Sequence, residues 1–192
     1  AELHIIGQII GANDFQLISK HLQIGIHRDV TNFIFRSLFC KWSVHSGGAW
    51  KVLQGLREGQ TQVDRPAYGE TAFWCHPVDL HFATRGLQGW PKLHFQVYHH
   101  DSFGRSELIA YGFCHVPTSP GLHNIEVSTW KPSASLRETI SQFYVGGGHQ
   151  LRNPDLLSSG SDRFRLTTTA MGKVHMQLNI IHRNFDKFGI EC

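Results

Sequence analysis

The 192-residue sequence has few charged residues and little imbalance between positive and negative charge. Asp, Glu, Lys and Arg make up 17% of the chain, and 18 basic against 15 acidic residues leave a formal charge of +3. A chain with so little charge and 41% hydrophobic residues is typical neither of a disordered protein nor of a coiled coil. The weak, evenly spread charge also argues against a nucleic-acid-binding surface.

Long apolar runs and targeting signals are missing as well. No segment approaches the roughly 18 apolar residues that predict a transmembrane helix, and the opening AELHIIGQIIGAND lacks the basic region of a secretory signal. The final residues, Gly189 to Cys192, place cysteine at the terminus rather than fourth from it, so a prenylation box is absent. We therefore expect a soluble, cytoplasmic protein.

Cysteine is scarce and widely spaced. The four cysteines form no C-x-x-C pair, and three of them lie inside apolar stretches: Cys40, Cys75, Cys114 and Cys192. This spacing favours buried free thiols in a reducing compartment over a disulfide framework or a zinc site.

What the sequence does contain is alternation of apolar and polar residues from end to end, which predicts strands with one buried face. The clearest alternations run through Leu38 to His45, Leu93 to Val97 and Val174 to Ile180. Shorter candidates, bounded by Gly, Pro, Ser or Asp, are residues 3–10, 49–54, 72–76, 78–84, 107–116 and 122–128. Seven or eight short strands at this spacing predict an all-β antiparallel sandwich.

One segment has helical spacing instead. Apolar residues recur every three to four positions over residues 135–145, Ser135 and Glu138 form a capping box, and three glycines follow at 146–148. We expect one short helix packed across the sandwich. No repeat or linker divides the chain, so residues 1–192 are expected to form a single domain.

The 14 histidines raise the question of a metal site. The candidates are Cys75-His76, His81, His94, His99-His100 and Cys114-His115, but none has the spacing of a known zinc motif. His81 and His94 fall on the polar faces of their predicted strands. We expect solvated or hydrogen-bonded histidines, and no metal or other cofactor.

Signatures of catalysis are equally weak. Ser161 is not set in a G-x-S-x-G elbow, and the glycines before His149 are explained more simply as a helix end than as an oxyanion loop. Phosphate-binding loops of either common type are absent. These observations leave enzymatic activity without support, and no catalytic residue is assigned.

The stretch over residues 97–117 resembles the third segment of a C2 domain, in which calcium is held by carboxylates arranged as D-x-D. Here those two positions are His99 and Asp101, so one carboxylate is replaced by an imidazole. The other acids assigned to loops, Asp79, Asp155 and Asp162, form no second D-x-D pair. Calcium is therefore not expected, and Asp101 is better explained as a turn-forming residue.

Several longer motifs are similar to the B9 domain-containing proteins, and among the three animal paralogues of that family they match the second. The motifs are HIIGQIIGA (4–12), SLFCKW (37–42), GAWKVLQGLREGQTQVD (48–64), HPVDLHFATRGLQGWPKLHFQVYHHDSFGR (76–105), YGFCHVP (111–117) and RNFDKFGIEC (183–192). The resemblance implies a C2-like sandwich without enzymatic activity, located at the basal body and transition zone of the cilium, the centrosome and the cytoskeleton. It also implies association with the other two B9 paralogues in a tectonic-like complex that supports cilium assembly and a membrane diffusion barrier.

The resemblance fails over residues 15–36, where similar proteins join the first two strands with only a few residues. This apolar stretch is interpreted as an atypical insertion: a docking surface, an extra strand or a poorly ordered segment.

Candidate contact residues are Trp90, Phe103 and Arg105, which lie in predicted loops. They either touch a protein partner or a membrane surface, or else the two aromatic residues cap the core and Arg105 is solvated. The alternative to a scaffold is accordingly a C2-type membrane-targeting module that binds acidic lipid.

Overall fold

The computed structural model describes residues 1–17, 33–34, 37–133 and 167–186, and within them the regular structure is all β. The strands are β1 (Glu2–Asn13), β2 (Gln16–Leu17), β3 (Phe33–Ile34), β4 (Leu38–His45), β5 (Trp50–Gln54), β6 (Glu58–Gln60), β7 (Ala72–Thr84), β8 (Lys92–His100), β9 (Ser106–His115), β10 (Gly121–Pro132) and β11 (Thr168–Arg183). The predicted helix near 135–145 lies outside the described residues.

Nine strands form one antiparallel sheet in the order β5-β7-β1-β11-β10-β9-β8-β4-β6. The pairing of β10 with β9 rests on a single register pair, Trp130 with Tyr111, so the sheet divides there into two parts. The parts face each other, because the Trp74 indole on β7 donates to the Leu38 carbonyl on β4 at 3.1 Å across the interior. This is the antiparallel sandwich expected from the alternating pattern.

The core lies between the two parts and is supplied by alternate residues of each long strand. Leu3, Ile5 and Ile9 of β1 are fully buried, as are Leu93 and Phe95 of β8. Since successive strand residues point to opposite faces, the residues between them lie on the outer face of the sheet, where His4 is partly exposed and His94 is covered by its neighbours.

Strand β7 combines two segments that the sequence pattern separates at Pro77. Its pairing with β1 runs from Ala72 to Ala83 and contains a bulge, because Ile9 pairs with His76 and Gly11 with Phe73. Cys75 lies in this bulge with a positive φ of 46° and is exposed. The expectation that it is a buried thiol is therefore wrong.

The other described cysteines are enclosed to different degrees. Cys40 is buried and Cys114 is half-buried beside Met176. Burial raises the pKa of each thiol to about 12. These two agree with the prediction of buried free thiols, whereas Cys192 lies outside the described residues.

The described ends of the segment 15–36 are ordered parts of the fold. Gln16 and Leu17 pair with Ile34 and Phe33 as a separate two-stranded sheet. Phe15 is 1% exposed and belongs to the main core. The interpretation of the segment as an insertion stays a prediction, but its first residue is a core residue.

Candidate functional site

The outer face of the sheet at the start of β1 brings together four polar side chains from three strands. Glu2 and His4 alternate with the buried Leu3 and so point outward. In the register of the sheet His81 of β7 lies directly opposite His4, and Arg183 of β11 lies opposite Glu2. We call Glu2, His4 and His81 the Glu2 cluster.

The two imidazoles of the Glu2 cluster converge on one carboxylate. His81 Nε2 lies 3.3 Å and His4 Nε2 4.0 Å from Glu2 Oε2, and the two rings stack with their centroids 3.7 Å apart. Arg183 Nη1 approaches the same oxygen at 3.4 Å. The carboxylate is thus the shared acceptor of three potentially cationic groups.

The cluster is partly shielded from water, with 20–30% of each of its three side chains exposed. The pKa of His4 lies below its usual value, first because partial burial disfavours the charged ring and second because His81 adds a neighbouring positive charge; the charge of Arg183 also lowers it. The carboxylates of Glu2 and Asp79 act in the opposite direction. His4 is therefore neutral at physiological pH and has a ring nitrogen available as a ligand.

His94 is placed differently from His81. Both were expected to be solvated or hydrogen-bonded on a polar face, and His81 does face outward. His94 is only 2% exposed, because the ring of His45 stacks on it at 4.1 Å and Phe113 covers it edge-on. Solvation is therefore the wrong interpretation for His94.

The remaining histidine and cysteine candidates are dispersed over the structure. His99 Nδ1 lies 3.1 Å from the Ser37 carbonyl, and His100 Nδ1 lies 3.2 Å from Ser106 Oγ. His76 contacts the Trp42 indole edge-on. Of the histidines singled out from the sequence, His81 is the member of the Glu2 cluster.

The carboxylate of Asp101 closes its own turn between β8 and β9. Its Oδ1 accepts hydrogen bonds from the backbone N–H groups of Phe103 and Arg105 at 2.9 and 2.8 Å, and its Oδ2 accepts one from Arg105 Nε at 2.7 Å. The Arg105 backbone N–H is the main reason why the pKa of Asp101 lies below its ordinary value. Asp101 therefore acts as a turn-forming residue.

The other acids assigned to loops are not brought to this turn in the described structure. Asp79 lies inside β7, paired with Ile6, rather than in a loop. Asp155 and Asp162 lie outside the described residues, as do Ser161 and His149.

The three candidate contact residues do not form one surface. Trp90 precedes the nine-residue β8 and Phe103 follows it, so roughly 27 Å of strand separates them. Trp90 is half-buried against the core and donates from Nε1 to the Val116 carbonyl at 2.8 Å. Phe103 is 82% exposed and does not cap the core. The Arg105 guanidinium lies 5.5 Å from the Phe103 ring centroid, so these two residues do share a surface.

A second polar feature is an open groove of about 860 Å³ along β4, β6 and β8. Its lining includes two basic residues, Lys41 and Arg57, and one acidic residue, Glu58. The mixed charge gives the groove no clear ligand class.

Sequence reasoning missed Glu2 and His4 as members of a site. A local signal existed, since both occupy the polar positions of the alternating segment that begins at β1. Their meeting with His81 depends on the pairing of β1 with β7, which joins residues about 79 positions apart. No short-range spacing carries that information.

Comparisons with known proteins give matches over most of the chain. Residues 3–181 match the family model B9-C2, described as ciliary basal body-associated, B9 protein. B9 domain-containing protein 2 of Danio rerio is 56% identical over 191 residues, covering 100% of this chain and 99% of the relative. B9 domain-containing protein 1 of Xenopus laevis is 28% identical over 158 residues, covering 81% of this chain and 80% of the relative.

Among solved structures, a C2 domain of plant Extended Synaptotagmin 1 covers 95% of both chains with 14% identity and a TM-score of 0.44. In the described part of this chain no helix reaches the length and hydropathy that crossing a bilayer requires.

Proposed function

The chain belongs to the family of ciliary basal body-associated B9 proteins, and we propose that it is a non-enzymatic scaffold subunit of the transition zone complex at the base of the cilium. The observation that carries the proposal is the match of residues 3–181 to this family. The resemblance predicted from the sequence motifs is confirmed, since the relative at 56% identity is a B9 domain-containing protein 2.

The proposed partners are the other two B9 paralogues and further proteins of the tectonic-like complex, within which the chain supports cilium assembly and the membrane diffusion barrier. The similarity of this chain to B9 domain-containing protein 1 of Xenopus laevis supports the proposal to the extent that a second, related B9 domain exists as a candidate partner. The same proposal includes a location at the centrosome and association with the cytoskeleton.

The surface of the described residues offers apolar side chains for such contacts. Several large ones lie in or beside the short strands β5 and β6, which form the two opposite edges of the sheet and are joined by residues 55–57, and in the loop that follows: Leu53 at 49% exposed, Leu56 at 75%, Val63 at 44% and Tyr68 at 96%. Exposed apolar groups next to a sheet edge are physically suited to protein association. We therefore propose the segment that joins and follows these two edge strands as the first paralogue contact to be tested.

The absence of enzymatic activity is part of the proposal and rests on the family. The polar groups of the Asp101 turn are engaged with one another, and those of the Glu2 cluster are charged or basic side chains without a hydroxyl or thiol nucleophile among them. Neither arrangement contains a hydroxyl or thiol nucleophile next to a base, which is the arrangement of the Ser-His and Cys-His enzymes.

The alternative function is direct membrane binding of the C2 type, and one observation favours it. Phe103 projects from the β8–β9 turn with 82% of its surface exposed, and Arg105, whose guanidinium forms an ion pair with Asp101, lies next to it. An apolar side chain beside a cation suits insertion at an acidic lipid surface. A formal charge of only +3 makes this electrostatic attraction weak.

Co-expression with the two B9 paralogues, followed by size-exclusion chromatography, tests the scaffold function. We expect one stoichiometric complex. A second arm replaces residues 18–32 by Asn-Gly, which keeps the buried Phe15 and joins the paired strands β2 and β3 by a two-residue hairpin turn. Assembly of the shortened form alone would mean that the segment blocks the function in this chain, and no assembly of either form would refute the scaffold proposal.

Liposome sedimentation with acidic lipid tests the alternative. The scaffold proposal predicts little pelleting with or without calcium. Strong pelleting that is lost in Phe103→Ala would establish the membrane-targeting function, and calcium-dependent pelleting would also overturn our interpretation of His99 and Asp101.

A further inference from the structure

The Glu2 cluster contains three metal-ligand side chains that two separate strands hold on one outer surface. We propose that Glu2, His4 and His81 form a binding site for a divalent transition metal ion, with zinc as the typical ion. The proposal goes beyond the scaffold function and does not depend on it.

The spacing of the ligand atoms supports the proposal. Two ligands bound to tetrahedral zinc at about 2.0–2.1 Å lie roughly 3.3 Å apart. His81 Nε2 and Glu2 Oε2 are already at 3.3 Å, His4 Nε2 lies 4.0 Å from the same oxygen, and all three ligand atoms lie within 4.8 Å of one another. The two stacked rings must turn for their Nε2 atoms to converge on one ion, and the partial exposure of all three side chains leaves room for that movement.

The backbone holds these side chains in place. Glu2 and His4 are two residues apart on one face of β1, and His81 is the register partner of His4 on β7. Both strands lie inside the nine-stranded sheet, where β1 pairs on its other side with β11 and β7 pairs with β5. A site on rigid strands needs little reorganisation to bind an ion.

The chemistry of the ligands selects the class of ion. Two imidazoles and one carboxylate suit zinc and its neighbours among the transition metals, whereas calcium and magnesium require mostly oxygen ligands. Three protein ligands leave one tetrahedral position open on the solvent side. Water, or a side chain of a bound partner, can occupy that position.

The charges around the cluster both oppose and favour a cation. Arg183 contacts Glu2 and repels a metal ion, but its side chain is 68% exposed and can turn into solvent at little cost. Lys51 lies on the other side of the cluster from Arg183, on β5 opposite Ala83 of β7. The carboxylate of Asp79 acts on His4 from β7 and partly compensates these positive charges.

Zinc titration of the full chain against a competing chromogenic chelator tests the site. Because the chain has 14 histidines, the informative quantity is the difference between variants rather than the total zinc bound. We expect His4→Gln and His81→Gln each to lower the affinity of the tightest site by at least the 10–100-fold that loss of an outer-shell partner causes. Arg183→Gln should raise the affinity about threefold, as expected for removal of one screened charge within about 6 Å.

His115→Gln is the matched control, because His115 is also a histidine at an outward-facing strand position but lies on β9, away from the Glu2 cluster. Far-UV circular dichroism and thermal midpoints in the presence of a chelator show whether each variant is folded. If one histidine variant does not fold, the other carries the test.

Cobalt substitution provides a second readout. We expect wild-type protein with one equivalent of Co²⁺ to show the visible absorption of a four-coordinate ion, and both histidine variants to lose it. Equal zinc affinity in wild type and both variants would overturn the proposal. So would an equal loss of affinity in His115→Gln, since binding would then be adventitious.

Discussion

Two carboxylates of this protein are similarly shielded and are satisfied in opposite ways. The side chains of Asp101 and Glu2 are 23% and 28% exposed. Asp101 receives its hydrogen bonds from residues two and four positions along the chain. The Glu2 carboxylate is approached by His4 from its own strand, and also by His81 and Arg183, which are 79 and 181 positions away along the chain.

The difference teaches what each arrangement needs in order to exist. The Asp101 turn can form whenever the short loop closes, because all its partners are local. The Glu2 cluster forms only when β1 lies between β7 and β11. Conditions that open the sheet should therefore abolish the Glu2 cluster while the Asp101 turn still has its partners nearby.

Cysteine reactivity gives the largest expected difference between enclosed and open parts of the fold. A pKa near 12 rather than 9.0 lowers the thiolate fraction of Cys40 and Cys114 about a thousandfold at a fixed pH. Cys75, exposed in the bulge of β7, should react first. Iodoacetamide labelling with peptide mapping, in a Cys192→Ser background, checks this order.

Unfolding in denaturant should bring the labelling rates of Cys40 and Cys75 close together. Equal rates in the native protein would contradict the enclosure of Cys40 between the two parts of the sheet.

The next largest effect compares two phenylalanines. Phe15 is 1% exposed in the core near β11, where a Cβ added to Gly172 would overlap its ring, whereas Phe103 is 82% exposed in the Asp101 turn. We expect Phe15→Ala to lower the free energy of unfolding by about 3–5 kcal/mol. Phe103→Ala, the matched control, should change it by less than about 0.5 kcal/mol.

Urea unfolding followed by tryptophan fluorescence measures both variants. A Phe15→Ala variant as stable as wild type would mean that residues 15–36 are separate from the core from their first residue onward.

Local patterns predicted much of this fold because strand alternation is a local property. Leu93, Phe95 and Val97 were expected to share a buried face, and all three are fully buried. The all-β antiparallel architecture followed from many such segments. Asp101 was also predicted correctly as a turn former, since its partners lie within four residues.

What the sequence could not predict depends on neighbouring strands. His94 has the same alternation as His81, yet His45 of β4 and Phe113 of β9 cover it. The pattern predicts a strand break at Pro77, but β7 continues through it. The pairing of β7 with β5 ends at His81, so at Pro77 β7 has a strand neighbour on one side only. A proline, which lacks the backbone N–H, is tolerated at such an edge position. The Glu2 cluster was missed for the same reason, because register is a property of the assembled sheet.

The pH dependence of stability is a smaller effect and tests the Glu2 cluster directly. The folded pKa of His4 lies below the 6.5 of an unperturbed histidine, first because of burial and second because of His81. Below pH 6.5 the unfolded chain therefore binds more protons at this position than the folded chain does. Folding stability should fall from pH 7.5 to pH 5.5, with a shallower fall in His4→Gln.

Thermal unfolding in the presence of a chelator follows the stability, and NMR titration of the His4 ring gives its pKa. A titration midpoint at or above 6.5 would contradict the stacked, partly buried arrangement of His4 and His81.

The smallest effect is expected at the Asp101 turn. Asp101→Asn keeps an oxygen that can accept the backbone N–H groups of Phe103 and Arg105 but removes the ion pair with the Arg105 guanidinium. Because that guanidinium is 74% exposed, we expect the thermal midpoint to fall by less than about 2–4 °C. The difference from wild type should shrink further at about 1 M salt, where screening acts within roughly 3 Å. The thermal midpoint of Asp101→Ala should be lower than that of Asp101→Asn at both salt concentrations, because the Ala variant loses the hydrogen-bond acceptor as well as the charge. Equal midpoints for the two variants would mean that the hydrogen bonds from the backbone N–H groups do not hold this turn. Neither variant should change zinc binding, since the carboxylate that we place in the metal site is held by the sheet rather than by the turn.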